Sequence, residues 1–188
     1  HASVRQRPLA FETEGALQEG TAAPWHRCQA TLRLDKRQDE PMIDERQSAA
    51  VLWLKGSRHK LYEDRFRLLT RDIPIVRQRG AGELLAVADG VGSAPMGMQA
   101  AQHLCDALLQ YVQTASECAV ERLLDQLARA NVEVNRWGCI EATSRPLGAC
   151  AATVVLIDEQ RAQGWILHAG DTRAALIRDG AGQLLTAL

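Results

Sequence analysis

The sequence predicts an α+β protein built on antiparallel sheet. Short apolar runs of strand length lie both before and after a helical middle, and the links between neighbouring strands are of hairpin length. Between them, two long segments repeat their apolar residues every three or four positions. A doubly wound parallel fold would alternate strands and helices one by one, and this order is different.

Residues 1–49 read as a polar N-terminal extension, rich in Gln, Arg and Glu and broken by Pro8, Pro24 and Pro41. Within it Cys28, Ala30, Leu32 and Leu34 alternate with polar residues, which predicts a half-buried edge strand. The globular pattern runs from 50 to 188. An apolar run at 50–54 ends at Gly56, and strands are predicted at 65–69 and 73–76. The Gly80-Ala81-Gly82 turn then returns the chain into 84–88 as a hairpin.

A first helix follows from Gly97, Ala100, Leu104, Leu108 and Tyr111 at helical spacing. A second is predicted to open at Thr114-x-x-Glu117, a capping-box pattern, and to continue through Val120, Leu123, Leu127, Ala130 and Val134. Strands resume at 151–157, which is rich in Val, Ile and Thr, and at 165–169, which leads to Gly170-Asp171. A last strand at 173–178 leads to the Asp179-Gly180 turn.

Bulk properties exclude several classes. The 188 residues carry 22 Lys+Arg against 23 Asp+Glu, so neither a nucleic-acid nor a membrane surface is expected. No apolar stretch approaches the roughly 20 residues that cross a bilayer. Five cysteines without C-x-x-C spacing read as small buried hydrophobes in a reducing compartment, which predicts a cytoplasmic protein. The chain starts at His1 without an initiator Met and stops in Leu184-Leu185-Thr186-Ala187-Leu188, the look of a piece cut from something longer.

The chemistry is expected where acids meet strand ends. Asp89-Gly90 ends the apolar run 84–88, Glu63-Asp64 precedes the strand at 65–69, and Gly170-Asp171 closes another strand. Taken singly, Asp-Gly is a turn signal and Glu-Asp a solvated pair. Together they make an all-oxygen donor set, which suits hard divalent cations such as Mg²⁺ and Mn²⁺. A carboxylate such as Asp89 has oxygens for two ions, and Gly90 has no Cβ to block its carbonyl. Two ions about 4 Å apart would acidify a shared water and clamp a phosphoryl group.

Five segments, in order, resemble the successive motifs of the metal-dependent (type 2C) Ser/Thr protein phosphatase family: Gly56-Ser57-Arg58-His59, Glu63-Asp64-Arg65-Phe66, Val87-Ala88-Asp89-Gly90-Val91-Gly92-Ser93, residues 148–153, and Gly170-Asp171-Thr172-Arg173. The resemblance implies two antiparallel sheets packed as a sandwich flanked by helices, with a dinuclear Mn²⁺/Mg²⁺ centre between them. It implies that Asp89 bridges the ions, Glu63 and the Gly90 carbonyl bind one, Asp64 orients the attacking water, and Asp171 helps hold a weaker third ion. The implied substrate is phosphoserine or phosphothreonine in a protein, with a partner Ser/Thr kinase upstream.

The departures point to a divergent bacterial branch. Where many members place a phosphate-gripping arginine, this chain has His59, so Arg58 beside it is the candidate phosphate ligand. Val91 stands where eukaryotic members often carry a histidine after Asp-Gly, which leaves leaving-group protonation to water or His59. Further metal-binding aspartates of the family would lie beyond Leu188, so this chain alone is expected to be incomplete at its C-terminus and inactive. The alternative is a catalytically inactive module that binds phosphoproteins or a kinase. His103 reads as a surface or interface histidine, Met96 and Met98 as packing at a helix start, and His168 as inward-facing strand packing. The four tryptophans are scattered, so no base-stacking platform is expected.

Overall fold

The structure, a computed structural model, describes residues 26–28, 49, 51, 52, 62–178 and 180–186. In chain order its elements are β1 (His26–Cys28), β2 (Arg65–Leu69), α1 (Pro74–Arg79), β3 (Glu83–Gly90), α2 (Gly97–Thr114), α3 (Val120–Arg136), β4 (Cys139–Ile140), β5 (Arg145–Pro146), β6 (Cys150–Asp158), β7 (Gln163–Ala169), β8 (Ala175–Arg178) and β9 (Ala181–Leu184). Five strands form one sheet in the order β1-β7-β6-β3-β2, every neighbouring pair antiparallel. Hairpins β4–β5 and β8–β9 are separate two-stranded sheets. This is the antiparallel α+β class that the sequence predicts.

Strand periodicity explains how the sheet receives its helices. Along β3, Leu84, Ala86 and Ala88 are buried while Val87 and Asp89 are exposed. The buried face holds Ala86, Ala88 and Ala152, side chains short enough for α2 to lie close with its own Ala101, Leu104 and Leu108. α3 packs on α2 through Val120, Leu123 and Leu127, so Leu84, Leu108, Leu123, Leu127, Val154 and Leu156 share one core.

Two expectations fail for local reasons. The strand predicted at 73–76 is the helix α1. Pro74 fits a first-turn position, because it lacks an amide that would need a partner there, and Gly80 closes the helix with φ +60. A run as short as Ile73-Pro74-Ile75-Val76 does not reveal its period, and one helical turn buries it as well as a strand does. The Gly80-Ala81-Gly82 turn therefore ends a helix, and the antiparallel partner of β3 is β2.

The second correction concerns the start of α3. Thr114 is the last residue of α2, where its hydroxyl donates to the Gln110 and Tyr111 carbonyls at 2.9 and 3.3 Å. Glu117 turns instead to Arg161, 3.3 Å away. α3 begins after the extended Ala119, whose amide donates to Tyr111 Oη at 3.1 Å. β4, β5 and β9 had no sequence signal of their own. Of the strand expected over 28–35, only Cys28 lies among the described residues, as the last residue of β1; most of the 50–54 run lies outside them, and Val51 and Leu52 are not in a strand.

Cys105 and Cys118 are buried and Cys150 nearly so, as expected of small hydrophobes. Burial pushes the thiols of Cys105 and Cys150 up to about 11 and that of Cys118 up to about 12, which keeps them protonated at neutral pH. Cys139 departs from the expectation: it is exposed on β4, a two-residue strand that faces solvent.

Tyr111 ties α2 to the α1–β3 and α2–α3 connections. Its buried hydroxyl donates to the Ala81 carbonyl at 3.1 Å while accepting from Ala119 N. Tyr111→Phe strands both backbone groups and should cost about 2 kcal/mol in urea unfolding. A loss below about 0.5 kcal/mol would mean that water replaces the hydroxyl.

Candidate functional site

The candidate site is built at one end of β3, where the strand delivers Asp89 and Gly90. Strand alternation places Asp89 on the exposed face, and Gly90 is buried directly behind it. A Cβ at Gly90 would fall 2.7 Å from the Glu63 carbonyl oxygen and 2.6 Å from the Gly97 carbonyl carbon. Only glycine lets these three backbones meet. The contact carries the Glu63-Asp64 segment to the end of β3, and the adjoining turn is secured by Val91 N donating to Ala149 O at 3.0 Å.

Asp171 arrives from the other side. Ala151 of β6 stands opposite Asp89 in the ladder. Gly170, with φ +94, packs so closely on Ala151 that a Cβ would lie 2.5 Å from the Ala151 Cβ. The chain thereby turns Asp171 toward Asp89. Thr172, next in sequence, lies 2.7 Å by its Oγ1 from Thr153 Oγ1, and Thr153 Oγ1 lies 3.0 Å from His168 Nδ1. Thr153 and His168 are both buried and stand opposite each other on β6 and β7. His168 is therefore strand packing, as the sequence predicts, with a hydroxyl chain leading from it to the site.

A cleft of about 770 Å³ opens here, with Tyr62, Asp64, Arg65, Phe66, Asp89 and Thr172 in its walls. The Asp89 carboxyl is raised to about 6, first by partial burial, then by its hydrogen bond and charge interaction with Asp64, then by the charges of Asp171 and Glu63. Asp89 is nonetheless largely open to solvent. The crowding of like charges is therefore the firmer of these causes, because an accessible carboxylate keeps much of its hydration. The charges of three other sequence-predicted acids, Asp64, Asp171 and Glu63, thus reach Asp89. Arg58 and His59 lie outside the described residues.

Among the described residues, no group of three or more His, Cys, Asp or Glu side chains is gathered closely enough to hold a metal ion. The fit to a cation is one of donor chemistry. Glu63, Asp64, Asp89 and Asp171 offer carboxylate oxygens alone, and their mutual repulsion is what a hard divalent cation relieves.

Sequence reasoning missed the supporting polar residues. Arg65 donates to the carbonyls of Tyr62 and Asp64 and to Gln102, and its only signal was its place next to the acidic pair. Thr153 and Gln102 had no signal, since a polar residue on a strand or a helix surface is ordinary. His103 packs edge-on to Trp137, ring centroids 5.9 Å apart, and its Nε2 stands 2.9 Å from a Glu133 oxygen without hydrogen-bond alignment. It belongs to the α2–α3 contact rather than to the cleft.

With this geometry in place, the relationship to known proteins is clear. The family profile described as "Protein phosphatase 2C" matches residues 63–187, and the chain belongs to that family of Ser/Thr phosphatases. Among solved structures, a bacterial serine phosphatase aligns with TM-score 0.56 at 18% identity, covering 70% of this chain and 51% of that one. Two arginine-substituted forms of a bacterial serine phosphatase align with TM-score 0.55 at 18% identity, covering 70% of this chain and 57% of theirs. At that identity the likeness is one of fold, and the chain spans little more than half the length of these structures. No curated protein matches the sequence. No helix among the described residues is long and apolar enough to cross a membrane.

The crowding makes a signed prediction. Asp89 binds its proton more tightly folded (about 6) than unfolded (3.8), so rising pH removes stability across that window and the loss is complete above about 6. In chelator, Asp89→Asn should therefore stabilise the protein at pH 7.5 by about 1 kcal/mol, after allowance for solvent screening, and by nothing below about pH 4. Urea unfolding at the two pH values checks this.

Proposed function

We propose that this chain carries the catalytic core of a Mn²⁺- or Mg²⁺-dependent phosphatase acting on phosphoserine and phosphothreonine in proteins. The observation that carries the reading is the convergence of Glu63, Asp64 and Asp171 on Asp89, in a chain of the protein phosphatase 2C family. Glu63, Asp89, the Gly90 carbonyl and Asp171 are the residues to hold the cations, two in the complete site. Bound there, the cations supply positive charge that makes water a better nucleophile and neutralises phosphoryl oxygens.

The residues around them have separate tasks. Asp64, beside Asp89, orients the attacking water and accepts its proton. Arg58 and His59 bind the phosphoryl group, and His59 or water protonates the departing serine or threonine oxygen. Gly90, without a Cβ, lets the Glu63 backbone and the start of α2 close up behind Asp89. A bacterial cytoplasmic setting, opposite a Ser/Thr kinase, suits such an activity.

The test is hydrolysis of phosphothreonine and phosphoserine peptides by this chain and by any longer natural form that contains it. Mn²⁺ should support turnover and a chelator should abolish it. Asp89→Asn and Asp64→Asn should each lower kcat by about a hundredfold or more. Turnover that resists both chelator and Asp89→Asn sinks the assignment. Mn²⁺-independent phosphopeptide binding without turnover in every form would favour the inactive binding module instead.

A further inference from the structure

The acidic segment lies before β2 and outside the strand ladder, yet its backbone is held at three successive carbonyls. The Glu63 oxygen abuts Gly90, 2.7 Å from where a Cβ would stand. Those on either side, Tyr62 O and Asp64 O, both accept from Arg65 Nη1, at 3.1 and 2.7 Å. The guanidinium is itself fastened to α2, with Nε donating to Gln102 Oε1 at 3.0 Å. Gln102 Nε2 in turn donates to Asp106 Oδ1 at 2.9 Å, an oxygen shared with Arg67 Nη2 at 3.0 Å. One planar fork thus ties the acid-bearing segment to the long helix that also packs against Gly90.

We infer that Arg65 is a positioning residue for the cation site: it fastens the Glu63-Asp64 backbone to α2, so that both carboxylates are presented to Asp89. The inference rests on the metal-dependent reading above. Orientation of this kind depends on guanidinium shape. A lysine keeps the charge but has a single ammonium, which cannot reach Gln102 and both carbonyls in one plane. Groups that orient metal ligands without touching the metal typically contribute about 10- to 100-fold in metal affinity.

Charge and position make opposite forecasts. Considered only as a positive charge beside the carboxylates, Arg65 opposes cation binding, so Arg65→Gln should tighten it and Arg65→Lys should leave it unchanged. As a positioning residue, Arg65 is needed for affinity, and both substitutions should weaken it.

Calorimetric titration with Mn²⁺ decides, using wild type, Arg65→Gln, Arg65→Lys, Gln102→Leu and Asp89→Asn. Circular dichroism and urea midpoints in chelator would establish that each variant is folded. The expected result is Asp89-dependent binding in wild type, about tenfold weaker binding in both Arg65 variants, and a smaller loss in Gln102→Leu. Tighter binding in Arg65→Gln, or wild-type affinity in Arg65→Lys, overturns the inference and leaves the phosphatase reading standing. Absence of Mn²⁺ binding in wild type, in this chain and in any longer natural form that contains it, overturns both. Should the Arg65 variants fail to fold, Gln102→Leu decides: weakened binding supports the inference, and wild-type affinity overturns it.

Discussion

At residue 90 the end of β3, the backbone of Glu63 and the first residue of α2 crowd into the space where a side chain would begin. The contact is reciprocal, since a Cβ at Gly97 would lie 2.5 Å from the Val91 carbonyl oxygen. Two glycines seven residues apart thus let a strand end and a helix start lie backbone to backbone. The seat of α2 on the sheet, the approach of the acidic segment and the position of Asp89 all depend on that contact. The alanines on the inner face of β3 and β6 extend the same logic, because only short side chains let the helix stay so close along its length.

The two ends of β3 carry opposite electrostatic loads. At the Asp89 end, neighbouring carboxylates raise the proton affinity of Asp89, which disfavours folding at neutral pH. Acids at the other end are matched. Glu83 accepts from Arg71 N at 2.7 Å, Arg71 pairs with Glu159 at 2.8 Å, and Asp158 takes both the amide and the guanidinium of Arg161 at 3.1 Å. Arg161 also donates to the Cys118 carbonyl, which ties the β6–β7 turn to the α2–α3 connection. Matched pairs thus hold the end of β3 away from the site, while like charges gather around Asp89 at the other.

Much of this was legible in one dimension. Asp89-Gly90 at the end of an apolar run, the acidic pair before a strand and the Gly-Asp step after another all fall where the sequence places them, because strand ends and glycine turns are local signals. α2 and β6 were legible for the same reason, since both are long enough for their period to emerge. The failures were at short or ambiguous places. Residues 73–76 are too few to show whether they coil or extend, and Thr114 and Glu117 match a helix-start pattern whose atoms are engaged elsewhere. Arg65 looked like the tail of a motif, and nothing in the sequence says that its fork reaches back to two carbonyls and across to Gln102.

What the sequence by itself determined is the inventory and its order: which strands and helices form, which strand ends bear acids, and where glycine leaves backbone exposed. These follow from side-chain period and from the steric properties of single residues. Only the tertiary structure decided that Asp64 and Asp171, 107 positions apart in numbering, share one carboxylate neighbour. It does so through the antiparallel register that sets Ala151 beside Asp89 and the close packing of Gly170 on Ala151. Ladder register and backbone approach are properties of pairs of distant segments, and a single segment holds no record of its partner's position.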